Sequence, residues 1–559
     1  MNKSYVRLNR IVNRVKLYNQ FSERNSDWYT SNLDYSNIFN VQNQMFMMLC
    51  KQYLWSIFLI LLISCNPGDE VIFESTKYGT CYERYHDDDV SLGALLDPLE
   101  QKMLDSTGCF VLEDGSGAMI ARAWLTDYAE KRIDIQYFIF SLDNVGLIAT
   151  DYLVRAADRG VQVRIIVDDI MVNAEIDDIQ IFNAHPNISV KIYNPGVNLG
   201  KNLFQKLNKF GRDFRGANQR MHNKTFIVDG KVTITGGRNI ADEYFDYDHN
   251  YNFRDRDILL FGQGVDQVQS SFDEFWDSEL TINMEELVNE ESNHVHIHDD
   301  FDILHAYACN EENFWPEVRT RISAFPDMIK ELDHSGDLVW LEEISFISDR
   351  PGKNDEKQGL GGGGATTSAL ISLINKSTTS IDIQTPYLIT TDLGKSLFKA
   401  AVKRGVEVRI LTNSLASTDN VEAFSSYQSD RSNLLATGVR IFEFRPDAVI
   451  RKKLLTGEVQ DSLKQQPIYG LHAKSMVIDG NIAVIGTFNL DPRSANLNTE
   501  CIVIVESDEI ATGVLRGMQE EFQPQNSWEI TESFNPDNEV SKYKRVKTWS
   551  RKILPKGIL

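Results

Sequence analysis

The chain has 559 residues, 42% of them hydrophobic and 25% charged, the balance of a soluble globular protein long enough to hold more than one domain. With 57 basic against 80 acidic residues its net charge is −23, which excludes a general electrostatic attraction to nucleic acid or anionic membrane and leaves any anionic partner to local basic patches. Six scattered cysteines without CxxC spacing argue against a thiolate zinc site and a dense disulfide framework.

In chain order, residues 1–66 form an N-terminal extension whose first 44 residues are rich in Asn, Ser and Tyr and lack periodicity. The apolar run from Leu54 to Ile63 follows Lys51. It is shorter than the roughly 20 residues a spanning helix needs, and it suits the core of a signal peptide. "LISC", Leu62 to Cys65, resembles the lipobox of bacterial lipoproteins, so Cys65 is the expected lipid anchor and Met45, Met47 or Met48 the expected start of translation. A buried apolar helix with an incidental cysteine is the alternative.

Residues 67–104 lead into a first lobe, 105–280. Here "RIDIQYFIFSLDNVGLIATDYLVRAADRGVQVRIIVDD" (132–169) predicts strand, helix, strand, with Gly160 at the helix C-terminus, where a left-handed residue is favoured. The same order returns in "SIDIQTPYLITTDLGKSLFKAAVKRGVEVRILTNS" (380–414), with Gly405 in that place. Each is a βαβ unit, which implies a largely parallel sheet. The displacement is 248 residues from Asp134 to Asp382 and 250 from His222 to His472, so the chain is a duplication. The predicted fold is α/β: two pseudo-two-fold related α-β-α sandwich lobes with mostly parallel sheets, packed together with the active site at their interface.

The most informative residues close each lobe's repeat. "MHNKTFIVDGKVTITGGRN" carries His222, Lys224, Asp229, Gly236, Gly237 and Asn239, and "LHAKSMVIDGNIAVIGTFN" carries His472, Lys474, Asp479, Gly486, Thr487 and Asn489. His and Lys two apart on a strand share a face, and the aspartates fall near the strand end. The glycines allow close approach of backbone and ligand. A histidine, a fixed cation and an amide donor together suit an oxyanion such as a phosphoryl group. Two such sets supply a neutral imidazole to attack phosphorus and a protonated one to serve the leaving oxygen, with no metal or cofactor required.

Residues 281–366 form an acidic, irregular insert ending in the Gly-rich "GKNDEKQGLGGGGATT" (352–367). Its "HVHIH" (His294, His296, His298) reads as exposed strand histidines rather than a metal site. The second lobe spans 367–530. In the tail, 531–559, residues 541–559 carry seven basic residues and no acid, with Trp549, Ile553 and Leu554 interleaved, as in a solvated tail or a membrane-surface contact.

The two motifs resemble the paired HKD motifs of the phospholipase D superfamily, over about residues 105–530. "RMHNK", "GGRNIADEYF", "LTNSLASTD" and "GTFNLDPRSANLNTE" are similar to bacterial cardiolipin synthases. The resemblance implies a phosphatidyl-enzyme intermediate on one histidine, protonation of the leaving alcohol by the other, and metal independence; by analogy His222 is the nucleophile and His472 the acid. It maps phosphate binding onto Lys224 and Lys474 and onto Asn239 and Asn489. It also implies a carboxylate behind each histidine, here Asp255, which fits the family's Arg-Asp pattern better than Asp257, and Glu500. Gly237 stands where many relatives carry serine, whereas Thr487 retains a hydroxyl.

The same chemistry serves phosphatidyltransferases, hydrolytic phospholipases and nucleases. Residues 200–224 hold seven Lys/Arg, among them Lys206, Lys209, Arg212, Arg215 and Arg220, against one acid, Asp213, with Phe204, Leu207, Phe210 and Phe214 between them. A similar "VIRKKLL" (449–455) precedes the second motif. Basic residues with exposed apolar ones suit a lipid headgroup layer at the cleft mouth; a helix docked inside the protein is the alternative for 200–215. The expectation is a membrane-associated bacterial enzyme acting on phosphatidylglycerol, with phosphatidylethanolamine as a second lipid, and no nucleic acid partner. A phospholipase D hydrolase, a nuclease and a non-enzymatic membrane scaffold are the rivals.

Overall fold

The computed structural model describes residues 91–169, 185–196, 216, 218–287, 297–314, 316–354, 361–454 and 466–552. Cys65 and its signal segment, Lys206, Lys209, Arg212, Arg215, His294 and His296 lie outside the described residues.

Each lobe is built on its βαβ unit. Strands Arg132–Tyr137 and Gln162–Asp168 pair in parallel, as do Ser380–Gln384 and Glu407–Asn413, and each pair is joined by a helix, Asn144–Asp158 or Asp392–Lys403. A third parallel strand, Ile188–Tyr193 or Arg440–Phe444, extends each unit. Beyond these the sheets depart from the largely parallel expectation. Strands Thr225–Val228 and Ser475–Ile478 each run antiparallel to the first strand of their unit, and hairpin partners continue antiparallel outward. The cause is local. Asp229-Gly230 and Asp479-Gly480 have φ of +53° and +67°, and +53° and +75°, the two left-handed positions of a tight hairpin turn. A hairpin must be antiparallel, so each motif adds antiparallel strands to a parallel core.

The sheets have nine and eight strands, and side-chain alternation sorts them into layers. Ile133, Ile135, Phe226 and Val228 face an outer core under helices Gly115–Tyr128 and Asn144–Asp158; Ile381, Ile383, Met476 and Ile478 face the equivalent core of the second lobe. The opposite faces, with Ile227, Leu260, Val477 and Val503, share one central core with helices Val265–Trp276 and Asp508–Glu521. That shared core holds the two sheets face to face.

The insert is not irregular. It forms helices Ile297–Cys309, Pro316–Ser323 and Phe325–Ser335, the first packed on Asn144–Asp158 and the second on Gly115–Tyr128. Phe301, Leu304, Tyr307 and Phe314 enter the first lobe's outer core, and the His305 imidazole pairs with the buried Asp151. His298 therefore lies on a helix, not on the strand expected for it. The insert then crosses between lobes: Val339–Leu341 edges the first sheet and Ser345–Ser348 the second. The basic tail forms a helix, Lys542–Arg551, on the Val421–Leu435 helix.

Candidate active site at the lobe interface

The histidines and lysines precede their strands, which begin at Thr225 and Ser475, rather than lying within them. Each extended approach is held by the opposite lobe. Ile468–Leu471 pairs in parallel with Tyr251–Arg254, and His472 N donates to Arg254 O at 2.7 Å. Met221 bridges Thr499, and His222 N donates to Thr499 O at 3.0 Å. Asn413 further clamps Leu471, exchanging two hydrogen bonds with its backbone at 2.7 and 2.8 Å.

This backbone exchange crosses the side chains. His222 Nδ1 lies 2.8 Å from Glu500 Oε2, and His472 Nδ1 lies 2.5 Å from Asp255 Oδ2. Each histidine thus meets a carboxylate of the other lobe, and both carboxylates are fully buried. Asp257, the rejected alternative to Asp255, instead pairs with Arg122 at 2.9 Å.

Gly237 makes room for the Asp255 carboxylate and Gly486 for the backbone of the neighbouring strand. A Cβ on Gly237 would stand 2.0 Å from Asp255 Oδ1, and one on Gly486 2.3 Å from Cys501 O. In the second lobe the hydroxyl of Thr487, at the place of Gly237, donates to Glu500 at 2.5 Å and accepts from Cys501 N at 2.9 Å. Asn239 accepts from Ile139 N at 3.1 Å and donates to the Tyr244 hydroxyl at 2.9 Å, while buried Asn489 Oδ1 has no partner among the described residues. The first amide therefore ties down the loop beside the site.

Lys224 Nζ donates to His222 O at 2.8 Å, and Lys474 Nζ to His472 O at 2.6 Å while lying 2.8 Å from His472 Nδ1. Burial, and then the charge of Lys474, pushes Lys224 down to about 7; burial pushes Lys474 down to about 8. Burial followed by the lysine charges lowers His222 well below its ordinary value and His472 to about 3, which favours the neutral form of each ring. Burial raises Glu500 to about 7. Asp255 is held well below the carboxylate range by His472 and Lys474, which outweigh its burial. Each lysine's charge also reaches the other lobe's histidine, so the four groups lie within electrostatic reach of one another at the lobe interface.

Sequence reasoning missed the pocket's aromatic wall. Phe138 meets the His222 ring edge-on at 5.0 Å, and Tyr244 and Phe253 contact His472 at 5.0 and 4.7 Å. It also missed the support of "FRDR". Arg254 reaches Glu521 at 2.6 Å, Arg256 reaches Gln384 at 2.5 Å, and both bind Glu113, locking Asp255 between two cross-lobe contacts. The alternation of arginine around Asp255 was the available signal.

Three expected site residues make contacts of another kind. The Asp229 carboxylate accepts from the backbone N–H groups of Glu130, Lys131 and Arg132, and that of Asp479 from Thr378, Thr379 and Ser380. Both sit at the hairpin turn, beyond the end of the strand that follows each His-Lys pair, and their bonds tie that turn to the start of the neighbouring strand. Arg220 is no lipid-facing cation: it is fully buried beside Asp168 at 3.4 Å, and its carbonyl accepts from Thr499 N at 2.9 Å. Among the described residues no group of His, Cys, Asp and Glu could hold a metal ion.

A sequence profile described as "Cardiolipin synthase, PLD-like domain" matches residues 125–276 and 370–522, one match in each lobe. An uncharacterized protein of Helicobacter pylori (strain ATCC 700392 / 26695) is 31% identical over 76% of this chain and 80% of its own length. Cardiolipin synthase C of Escherichia coli (strain K12) is 32% identical over 74% of this chain and 84% of its own. The crystal structure of phosphatidylserine synthase from Haemophilus influenzae Rd KW20 superposes with a TM-score of 0.53 over 83% of this chain and 99% of that one, at 15% identity, a likeness of fold. With the profile falling on both lobes and relatives above 30% identity along most of their length, the chain belongs to the cardiolipin synthase family of phospholipase D-type phosphatidyltransferases.

Proposed function

We propose that the chain makes cardiolipin by transferring a phosphatidyl group between phospholipids through a covalent phosphatidyl-histidine intermediate, without a metal. The observation that carries this reading is that His222, His472, Lys224 and Lys474 are buried within electrostatic reach of one another at the lobe interface, with a carboxylate of the opposite lobe behind each imidazole. A lipid phosphodiester brings one negative charge, and two lysines held in low dielectric suit it. Because Nδ1 of each ring faces a carboxylate, Nε2 is left for chemistry.

In the first half-reaction His222 Nε2 gives its lone pair to phosphorus. The bond from phosphorus to the departing alcohol breaks, and His472, which must enter this step as the imidazolium, gives its Nε2 proton to that alcohol and becomes neutral. In the second half-reaction a phosphatidylglycerol hydroxyl yields its proton to His472 and attacks phosphorus, and the phosphorus–nitrogen bond breaks to free His222. One observation favours the reverse assignment. Burial raises Glu500 while Asp255 is held low, so the His222–Glu500 pair keeps a proton more readily than the His472–Asp255 pair, which suits His222 as the acid. Quenching during turnover and locating the phosphorylated peptide separates the two.

The enzyme would work at the membrane surface. Among the described residues no helix is long and apolar enough to cross a membrane; the basic C-terminal helix and lipidation at Cys65 would provide attachment. Mixed micelles of phosphatidylglycerol, with and without phosphatidylethanolamine, test the substrate: cardiolipin supports the synthase, phosphatidic acid indicates a hydrolase, and no lipid product overturns both. His222→Ala and His472→Ala are each expected to abolish turnover.

A further inference from the structure

Between helices Ala365–Lys376 and Asp392–Lys403, on the outer face of the second sheet, lies a cavity of about 550 Å³. Leu370, Ile374, Leu397, Phe398 and Met476 give it an apolar wall. Phe488 and Leu490, the neighbours of Asn489, form another wall, so the cavity abuts the candidate active site through the backbone of one loop. Asp491 also lines it, but its carboxylate accepts from Ser494 N at 2.7 Å and caps the short helix Pro492–Asn496.

The duplication supplies an internal comparison. The same place in the first lobe holds about 50 Å³. Its lining corresponds position by position: Arg122, Ala123 and Thr126 lie 248 residues before Leu370, Ile371 and Ile374, and Phe226 lies 250 before Met476. The difference is size. Phe245 and Met119 fill the first lobe where Ala495 and Thr367 line the second, and Phe314 of the insert adds a further ring to the first. An unfilled apolar cavity forfeits dispersion contacts and destabilises a fold. The first lobe closes this space with its own side chains, so the open copy is not imposed by the architecture.

We propose that the second-lobe cavity takes one acyl chain of the phospholipid whose phosphate occupies the catalytic pocket, an inference that rests on the lipid substrate proposed above. Its volume lies within the roughly 300–1,000 Å³ of sites for apolar ligands of that size. Leu393, which lines it, is 55% exposed and opens it to the surface on the side of the Asp392–Lys403 helix. The chain in the cavity would hold the headgroup ester in place, so that chain length, and not only headgroup, sets affinity.

Two measurements on the full-length chain test this. Ala495→Phe combined with Thr367→Met installs the first lobe's residues; the KM for dipalmitoyl phosphatidylglycerol should rise about tenfold or more, since each lost methylene of burial weakens binding several-fold, while turnover of the dibutyryl lipid stays unchanged. Equal effects on both lipids, or none on either, overturn the proposal. Independently of turnover, phosphatidylglycerol bearing a diazirine within an acyl chain should label Leu370, Ile374 or Phe398 on irradiation, and the double variant should abolish that labelling. Labelling confined to other residues overturns it. Labelling of the cavity without any cardiolipin formed would overturn the synthase reading and leave the chain site standing.

Discussion

His222 Nδ1 lies 2.8 Å from Glu500 Oε2, across the lobe boundary and 278 residues further along the chain. With the mirror pair His472 and Asp255, it means that neither lobe holds a complete imidazole–carboxylate pair of its own. Glu500→Gln and Asp255→Asn keep shape and remove charge. Each is expected to lower kcat by about 10²–10⁴-fold with little change in KM, because the carboxylate stabilises the charged imidazole only as it forms. A KM effect with intact kcat would contradict that role.

The depressed lysines set the pH dependence. Lys224 and Lys474, at about 7 and about 8, bind a phosphodiester only when protonated. Thus kcat/KM for an anionic lipid should fall as pH rises through that range, a loss read directly from a pH profile of the free enzyme.

The same lysines oppose folding. Their folded-state values lie below the ordinary 10.5 of an unfolded lysine, so the unfolded chain binds more protons between the two values, and stability rises with pH there. Below pH 7 the charged Lys474 costs on the order of 3 kcal/mol relative to water. Lys474→Met should therefore be inactive yet melt higher than the parent chain, by about 1–3 kcal/mol in equilibrium unfolding. A destabilised Met variant would show that the charge is better compensated than its surroundings suggest.

Asp479 should behave oppositely. The turn tolerates asparagine at positive φ, but Asp479→Asn loses the charge that three backbone N–H groups favour, and those bonds hold the Asp479 carboxyl down at about 2. A lowered value contributes stability that is present above the unfolded value near 3.8 and is lost as pH falls through about 2. Screened by solvent, the loss should be about 1 kcal/mol in denaturant titration. The kcat of the folded variant should stay within about twofold; a collapse of kcat at full stability would return this aspartate to the chemistry.

Much of this was legible in the sequence where contacts are local. The βαβ units announced themselves through "IDIQ", Gly160 and Gly405 because those signals act within one helical turn or one strand. The Asp-Gly turns were also present, yet read as strand ends they concealed the antiparallel hairpins. The insert's helices carry few turn-local signals; Phe301, Leu304 and Tyr307 are helical because the first lobe offers them a core. The histidines and carboxylates could be named from their motifs, but not paired: partnership across 278 and 217 residues follows from the lobe docking.

The C-terminal helix Lys542–Arg551 yields the last prediction. Tyr543, Val546 and Trp549 recur every three residues along one side and are 78%, 63% and 71% exposed, whereas Thr548 is buried. Arg551 anchors the helix to Glu422 at 3.1 Å, and Lys544 Nζ donates to Thr418 O at 3.4 Å. The next residue, Asp419, accepts from the Tyr387 hydroxyl at 2.9 Å and feels the charge of Lys474, so the helix is fastened to a loop that borders the site. An aromatic-aliphatic stripe among basic residues, on a chain of net charge −23, is complementary to an anionic headgroup layer and to little else on this surface. Replacing Tyr543, Val546 and Trp549 together by Ser should weaken sedimentation with phosphatidylglycerol vesicles by at least about tenfold and leave turnover of a micelle-dispersed short-chain lipid intact. In the parent chain, added salt should weaken the same partition, and phosphatidylcholine vesicles should bind poorly. Unchanged sedimentation of the triple variant would assign membrane attachment to another part of the chain.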